Sequence, residues 1–155
     1  NKDANSPYWK AIFADEMRLL FECHGAKEER LVDLEISTGQ NSLGRPLEFG
    51  RILAREFDYR YSLIAQAEIG SKKGVLIKRG EETETEIENP ANKTNSLIEA
   101  DKNKIPALHI EARPLFRIPP DGSNTVTPDG LVLGRAMAKA LIEFLTNPPN
   151  GKQGA

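Results

Sequence analysis

Three ionisable side chains alternate with apolar residues between positions 106 and 114, and they are of the types that serve as acid, base and anion-binding groups. If this segment is a β-strand, side chains two residues apart share a face, so His109, Glu111 and Arg113 lie in one row. The apolar residues between them face the other way. Because such a row is costly to bury without partners, it predicts a cleft, a ligand or another charged element beside it.

A second segment, residues 31 to 37, repeats the pattern, with Asp33, Glu35 and Ser37 alternating with apolar residues. If both strands belong to one sheet, two to four ionisable groups converge. Two interpretations stay open. The polar faces form a site, or each face meets water or forms ion pairs, as on a half-solvated sheet.

Glu111 is the first choice for a functional acid, because a carboxylate beside a cleft can take a proton from water. Arg113 can hold a substrate carboxylate through two parallel hydrogen bonds. The alternative for Arg113 is a local ion pair with Glu111 or Glu35. His109 is a metal ligand or an acid/base group in one interpretation and a hydrogen-bonded structural residue in the other.

Metal chemistry is limited by the ligand supply, since the chain has only two histidines and one cysteine. A catalytic zinc site needs three protein ligands and an open position. His24, followed by Gly25, falls at a predicted helix end, where a cationic imidazole suits the helix dipole, so it is not assigned as a ligand. An all-oxygen magnesium site from Asp33, Glu35 and Glu111 would suit a nuclease, although no basic aromatic surface accompanies it.

Composition excludes several classes of protein. The 155 residues are 39% hydrophobic and 28% charged with a net charge of −2, which argues against general disorder and against a nucleic-acid partner. The single cysteine, Cys23, excludes an internal disulfide and is expected to serve in packing. Without a bilayer-length apolar run or a signal-peptide core, we expect a soluble chain with no membrane partner, and a cytoplasmic location is favoured. The expected partner is a small-molecule or peptide substrate, and the oligomeric state is not predicted.

Hydrophobic spacing and capping residues divide the chain into alternating elements. Four helices are predicted. The first begins at Ser6–Pro7 and stops at Gly25, and the second runs from Pro46 to about Phe57. The third covers residues 96 to 102, and the fourth extends from a cap at Thr127 to about Thr146. Strands are predicted at residues 31 to 37, 74 to 78 and 106 to 114, and residues 61 to 69 fit either a strand or a helix. The acidic run at 81 to 88 is expected to be a solvated loop or an edge strand. Loops are predicted at 38 to 45 and 114 to 128.

This order favours an α/β fold, with a layered mixed or parallel sheet flanked by helices. We expect one domain over residues 1 to 147 and a flexible tail over 148 to 155. In such sheets ligands gather beyond the carboxyl ends of strands. The ends after Ser37 and Arg113 are therefore expected to meet at the same place.

Short motifs also match a known family. The run Leu108-His-Ile-Glu-Ala-Arg113 precedes a loop and a long helix after Thr127, and it fits an apolar-Glu-x-Arg context on a late strand. In that family an earlier strand ends near an Asp-x-His-Gly motif. Residues 33 to 36 take the place of this motif here, with Glu35 at the position of the histidine. Residues 45 to 50 fit a further motif of the family, Arg-Pro-x-x-x-Gly. Over residues 8 to 146 the chain resembles the zinc-dependent N-formylglutamate amidohydrolases and, more distantly, the zinc carboxypeptidase-like hydrolases.

The resemblance implies zinc and an amide substrate that bears a carboxylate. It makes Glu111 the general base and acid, with His109 beside it, Arg113 and Arg45 the substrate contacts, and Glu35 with Asp33 the substitute metal ligands. The leading hypothesis is a zinc-dependent amidohydrolase or peptidase-like hydrolase. The alternative is a noncatalytic ligand-binding or protein-interaction domain on the same scaffold.

Overall fold

A mixed six-stranded β-sheet is the central element of the part of the chain that the computed structural model describes, namely residues 19–26, 32–38, 46–57, 62–66, 72–78, 81–87, 94–119 and 121–146. The sheet order is β1-β6-β2-β3-β4-β5. β1 runs parallel to β6 and β2 parallel to β3, whereas the other neighbours are antiparallel. The strands are β1 (Leu20–Gly25), β2 (Leu34–Thr38), β3 (Leu63–Gln66), β4 (Lys73–Lys78), β5 (Glu81–Glu86) and β6 (Ala107–Ala112).

Helices cover both faces of this sheet, which confirms the predicted α/β class. Helices α1 (Pro46–Glu56) and α3 (Pro128–Thr146) pack on one face, and α2 (Asn95–Lys102) packs on the other against β6. A 3-10 turn at Pro114–Phe116 joins β6 to the segment before α3. Among the described residues, no helix combines the length and the apolar content needed to cross a membrane.

The main core lies between the sheet and the α1–α3 layer. Leu34 and Ile36 from β2, with Leu108 and Ile110 from β6, are at most 1% exposed and belong to one cluster with the inner faces of both helices. These are the apolar rows that alternation predicts, so the polar rows must occupy the opposite face. The two helices meet through the rings of Phe49 and Phe144, which pack edge to face at 5.5 Å and 82°.

Local signals place the helix ends where the sequence predicts them. Thr127 caps α3, because its hydroxyl accepts a hydrogen bond from the amide of Gly130 at 2.9 Å, and Pro128 opens the first turn.

The acidic run at residues 81 to 88 becomes the edge strand β5, whose Glu82 binds Arg51 of α1 at 2.8 Å. The predicted edge is thereby confirmed.

The first predicted helix is wrong over the residues that the structure describes. Leu20–Gly25 form strand β1 rather than the end of a helix, and the residues before 19 lie outside the described part. Consecutive apolar residues explain the error. Leu20 packs toward α2 and Phe21 toward the main core, so the strand begins partly buried on both faces and lacks alternation there.

The expected meeting of two strand ends is also wrong. β2 and β6 are antiparallel, so Ser37 lies opposite His109 near the start of β6, while Asp33 lies beside Arg113 at its end. The carboxyl ends of these strands therefore lie at opposite edges of the sheet. The polar rows instead meet side by side along their length. Arg45, residues 39 to 45 and the tail at 148 to 155 lie outside the described residues.

Candidate metal centre

Strands β1 and β6 place two imidazoles and two carboxylates in a square on the face opposite α1 and α3. Glu22 pairs with His109, and His24 pairs with Glu111. The two histidines occupy one diagonal of the square, and their ring centroids are 4.6 Å apart at an angle of 33°. Two short Glu/His sequences on parallel neighbouring strands thus converge at one place.

Three of these side chains are close enough together to hold a metal ion. Each of Glu22, His24 and His109 offers a ligand atom, and the three atoms lie within 4.8 Å of one another. The Nε2 atom of His24 is 3.8 Å from Oε2 of Glu22. His24 is half exposed and His109 is buried, so the group reaches from solvent into the protein. A divalent ion is a ligand of suitable size and charge for it.

His109 lacks the hydrogen bonds expected of a buried imidazole. Its side chain is 3% exposed, and its Nδ1 atom has no hydrogen-bond partner in the described part of the chain. Its Nε2 atom is 3.8 Å from Oε1 of Glu111, beyond hydrogen-bond distance. Burial, and secondarily the neighbouring His24, lower the pKa of His109 to about 4. The ring is therefore neutral at pH 7, which is the form that binds metals.

Helix α2 orients the carboxylate of Glu22. The Ser96 hydroxyl in its first turn donates a hydrogen bond to Oε2 of Glu22 at 2.6 Å. Ser96 is itself buried, and α2 is capped by the side chain of Thr94, which accepts from the amide of Leu97. Outer hydrogen bonds of this kind fix the direction of metal-ligating carboxylates.

Asp33 holds Arg113 at the other end of the polar face. Its Oδ1 accepts from Nη1 of Arg113 at 2.9 Å. Its Oδ2 accepts from the amide and the hydroxyl of Ser62 at 2.8 and 3.2 Å. Arg113 thus forms an ion pair with Asp33, a partner that the sequence did not indicate. This contact ties the end of β6 to the segments leading into β2 and β3.

The predicted site residues are only partly brought together. His109 and Glu111 are adjacent, and Glu35, which is 1% exposed, lies directly opposite Glu111 in the sheet. Within the described residues, Asp33 and Glu35 are not members of the three-residue group. Their role as metal ligands stays a prediction.

Glu22 and His24 are the site residues that sequence reasoning missed. The helix predicted through residue 24 hid the strand alternation that places both on one face. A signal was present in the Glu-Cys-His-Gly run at 22 to 25, which fits the Asp-x-His-Gly pattern more closely than residues 33 to 36, since it keeps the histidine and the glycine. Cys23, which is expected to serve in packing, is an exposed residue of the edge strand β1. Partial desolvation of its thiol by neighbouring atoms and, secondarily, the charge of Glu111 raise its pKa.

Comparisons of the chain with protein-family models, with curated proteins and with solved structures find no match. Function is therefore inferred from the geometry of the face formed by β1, β6 and β2.

Proposed function

We propose that this chain is a zinc-dependent hydrolase domain that cleaves an amide bond in a carboxylate-bearing substrate. Glu22, His24 and His109 would hold the ion, and Glu111 would act on the attacking water. The observation that carries the proposal is the buried, neutral His109, whose ring offers one of three ligand atoms that lie within 4.8 Å of one another.

The three side chains fit zinc by their chemistry. Two imidazoles and one carboxylate form the ligand set of several catalytic zinc sites, which keep a fourth position open. Imidazole ligands disfavour magnesium and calcium, which prefer oxygen. Ligand atoms at a tetrahedral zinc ion lie about 3.3 to 3.5 Å apart, so the observed spread of up to 4.8 Å needs only a small closure. When bound, the ion supplies Lewis-acid polarisation of a carbonyl.

Glu111 has the position expected of the general base. It is partly buried, lies directly opposite His24 across β1 and β6, and has its Oε1 atom 3.8 Å from His109. A carboxylate there can accept the proton of the attacking water and return it to the leaving amine. The buried Glu35 lies directly opposite Glu111 in the β2–β6 pair.

Arg113 supports the choice of an anionic substrate. Its side chain is 28% exposed, and Asp33 fixes its guanidinium on the same face as Glu111. Two residues along a strand span about 7 Å, so a carboxylate held at Arg113 would lie roughly that far from the amide at Glu111. Arg45, the second predicted contact, keeps its role as a proposal from the resemblance.

Hydrolysis by the full chain, loaded with Zn²⁺, of a panel of N-formyl and N-acetyl amino acids tests this function. We expect turnover that is lost on chelation, and a fall in kcat of at least about 100-fold for Glu111→Gln with unchanged zinc content. Glu86→Gln, which removes an exposed carboxylate of β5, is the matched control and should behave as wild type.

Two results would argue against the enzyme. Unchanged turnover in Glu111→Gln would remove Glu111 from the mechanism. A zinc-loaded chain that hydrolyses none of the panel, yet binds one of its members, would favour the alternative of a noncatalytic ligand-binding domain.

A further inference from the structure

A chain of hydrogen bonds joins the cap of α2 to the carboxylate of Glu22. Since a carboxylate only accepts, the Ser96 hydroxyl is the donor to Oε2 of Glu22, at 2.6 Å. Its single proton is thereby used, so the Thr94 hydroxyl, 3.3 Å away, is the donor to Ser96. Thr94 accepts in turn from the amide of Leu97 at 3.4 Å. All three bonds run in one direction, from the first turn of the helix to the metal centre.

The bond from Ser96 acts on the carboxylate oxygen nearest to His24. Oε2 of Glu22 is the oxygen that lies 3.8 Å from Nε2 of His24. Ser96 is 4% exposed and the side chain of Glu22 is 17% exposed, so water is a poor substitute for the hydroxyl. The direction of this oxygen therefore depends on the position of Ser96, and through it on α2.

Helix α2 rests on the sheet through a small apolar cluster. It has eight residues, and a helix of fewer than about 12 residues is marginal in water without tertiary contacts. The cluster is separate from the main core and consists of Leu97, Ala100, Ile105, Ala107 and the partly buried Leu20. Leu20 lies two residues before Glu22 and on the same face of β1. The apolar contact and the hydrogen bond therefore hold α2 over one short stretch of β1.

We infer that Ser96 is a positioning residue of the metal centre and that, through it, zinc binding at Glu22 stabilises α2. When zinc holds the Glu22 carboxylate in one direction, the bond from Ser96 is favoured. By linkage, an ordered α2 favours zinc binding by the same free energy. This coupling rests on the zinc site of the proposed function and does not depend on hydrolysis.

Calorimetric titration of the chelator-treated full chain with Zn²⁺ tests the role of Ser96. Ser96→Ala is expected to bind zinc about 10-fold more weakly than wild type. Ser96→Thr, which keeps the hydroxyl, should recover most of the affinity. The matched control is Ser123→Ala, which removes a hydroxyl from the segment before α3 and should bind zinc as wild type does. Equal zinc affinity in Ser96→Ala and wild type would overturn the proposal.

Hydrogen exchange of the same proteins, with chelator and with saturating Zn²⁺, tests the coupling. In wild type, zinc should slow exchange at least about 5-fold at the hydrogen-bonded amides of α2, residues 98 to 103. In Ser96→Ala this slowing should be lost, while the slowing in β1 and β6 remains. Alanine favours helix more than serine does, so a weaker helix would not explain the loss. Unchanged exchange in α2 of zinc-bound wild type, or equal slowing in Ser96→Ala, would contradict the coupling.

The hydrolase and the coupling fail on different results. A chain that binds zinc and shows the Ser96 effects without cleaving any substrate would refute the hydrolase alone. Zinc-dependent hydrolysis by a chain in which Ser96→Ala changes neither zinc affinity nor exchange in α2 would refute the coupling alone.

Discussion

The buried ring of His109 carries a free-energy cost in the folded chain. A buried polar atom without a hydrogen bond costs about 1 to 3 kcal/mol, and Nδ1 of His109 is such an atom among the described residues. Glu22 and His24 offer ligand atoms within 4.8 Å of one from His109, and Ser96 holds Glu22 in place. Metal binding by this group would stabilise the folded chain, because the unfolded chain lacks the site.

The metal-free protein should lose stability as the pH falls from 6.5 to 4. The pKa of His109 is about 4 in the folded chain and 6.5 when exposed, so in this interval the unfolded chain binds a proton that the folded chain does not. At about 1.4 kcal/mol per pKa unit, the free energy of unfolding should drop by up to about 3 kcal/mol by pH 4.

Urea unfolding of chelator-treated protein at pH 7 and pH 5 measures this effect. His109→Gln removes the titrating group and keeps a polar side chain, so its free energy of unfolding should fall less than that of wild type. Equal falls in the two proteins would contradict the assignment of a buried neutral imidazole.

At single positions, alternation was sufficient to predict which side chains share a face. It placed His109, Glu111 and Arg113 in one row and Asp33 and Glu35 in another, and the structure sets the rows side by side. The ion pair between Arg113 and Asp33 was not predictable, because it depends on the register between two segments that are about 80 residues apart in the chain.

At the scale of elements, helices with end signals were predictable and the first strand was not. Pro46 and Thr127 mark helix starts by their chemistry, and the structure begins α1 and α3 at Pro46 and Pro128. β1 carries no such signal. Its apolar start at Leu20 and Phe21 satisfies helical and strand spacing equally, and only packing against both α2 and the main core decides between them.

Gly50 lets α1 approach the sheet. A Cβ at this position would lie 2.9 Å from Cβ of Ala65 and 3.1 Å from Cδ1 of Ile77. Gly50→Ala gains about 1 kcal/mol of helix propensity, but crowding against the rigid strand costs about 1 to 3 kcal/mol. We therefore expect a net loss of about 1 kcal/mol in the free energy of unfolding.

Gly134→Ala in α3 is the matched control, because an added Cβ there meets nothing within 4 Å. Measured by urea unfolding, it should stabilise the chain by up to about 1 kcal/mol. A Gly50→Ala protein as stable as its parent would show that α1 does not need this close approach.

At the scale of the whole molecule, the sheet separates two surfaces with different chemistry. The face formed by β1, β6 and β2 gathers ionisable groups, and the opposite face is covered by α1 and α3 over the main apolar core. The α/β class and the layering follow from the order of elements. The antiparallel pairing of β2 and β6 does not follow from this order, because it depends on the path of the chain between two distant segments. That is why the expected meeting of the ends after Ser37 and Arg113 was wrong.

Titration of the chelator-treated full chain with Zn²⁺ by calorimetry tests the central claim most directly. Wild type should bind one ion per chain, and His24→Ala, at a half-exposed position, should weaken binding at least about 100-fold. Asp33→Asn should bind zinc as wild type does, because the Asp33 carboxylate is held by Arg113 and Ser62. No zinc binding by wild type, or loss of binding in Asp33→Asn with full binding in His24→Ala, would contradict a centre built from Glu22, His24 and His109.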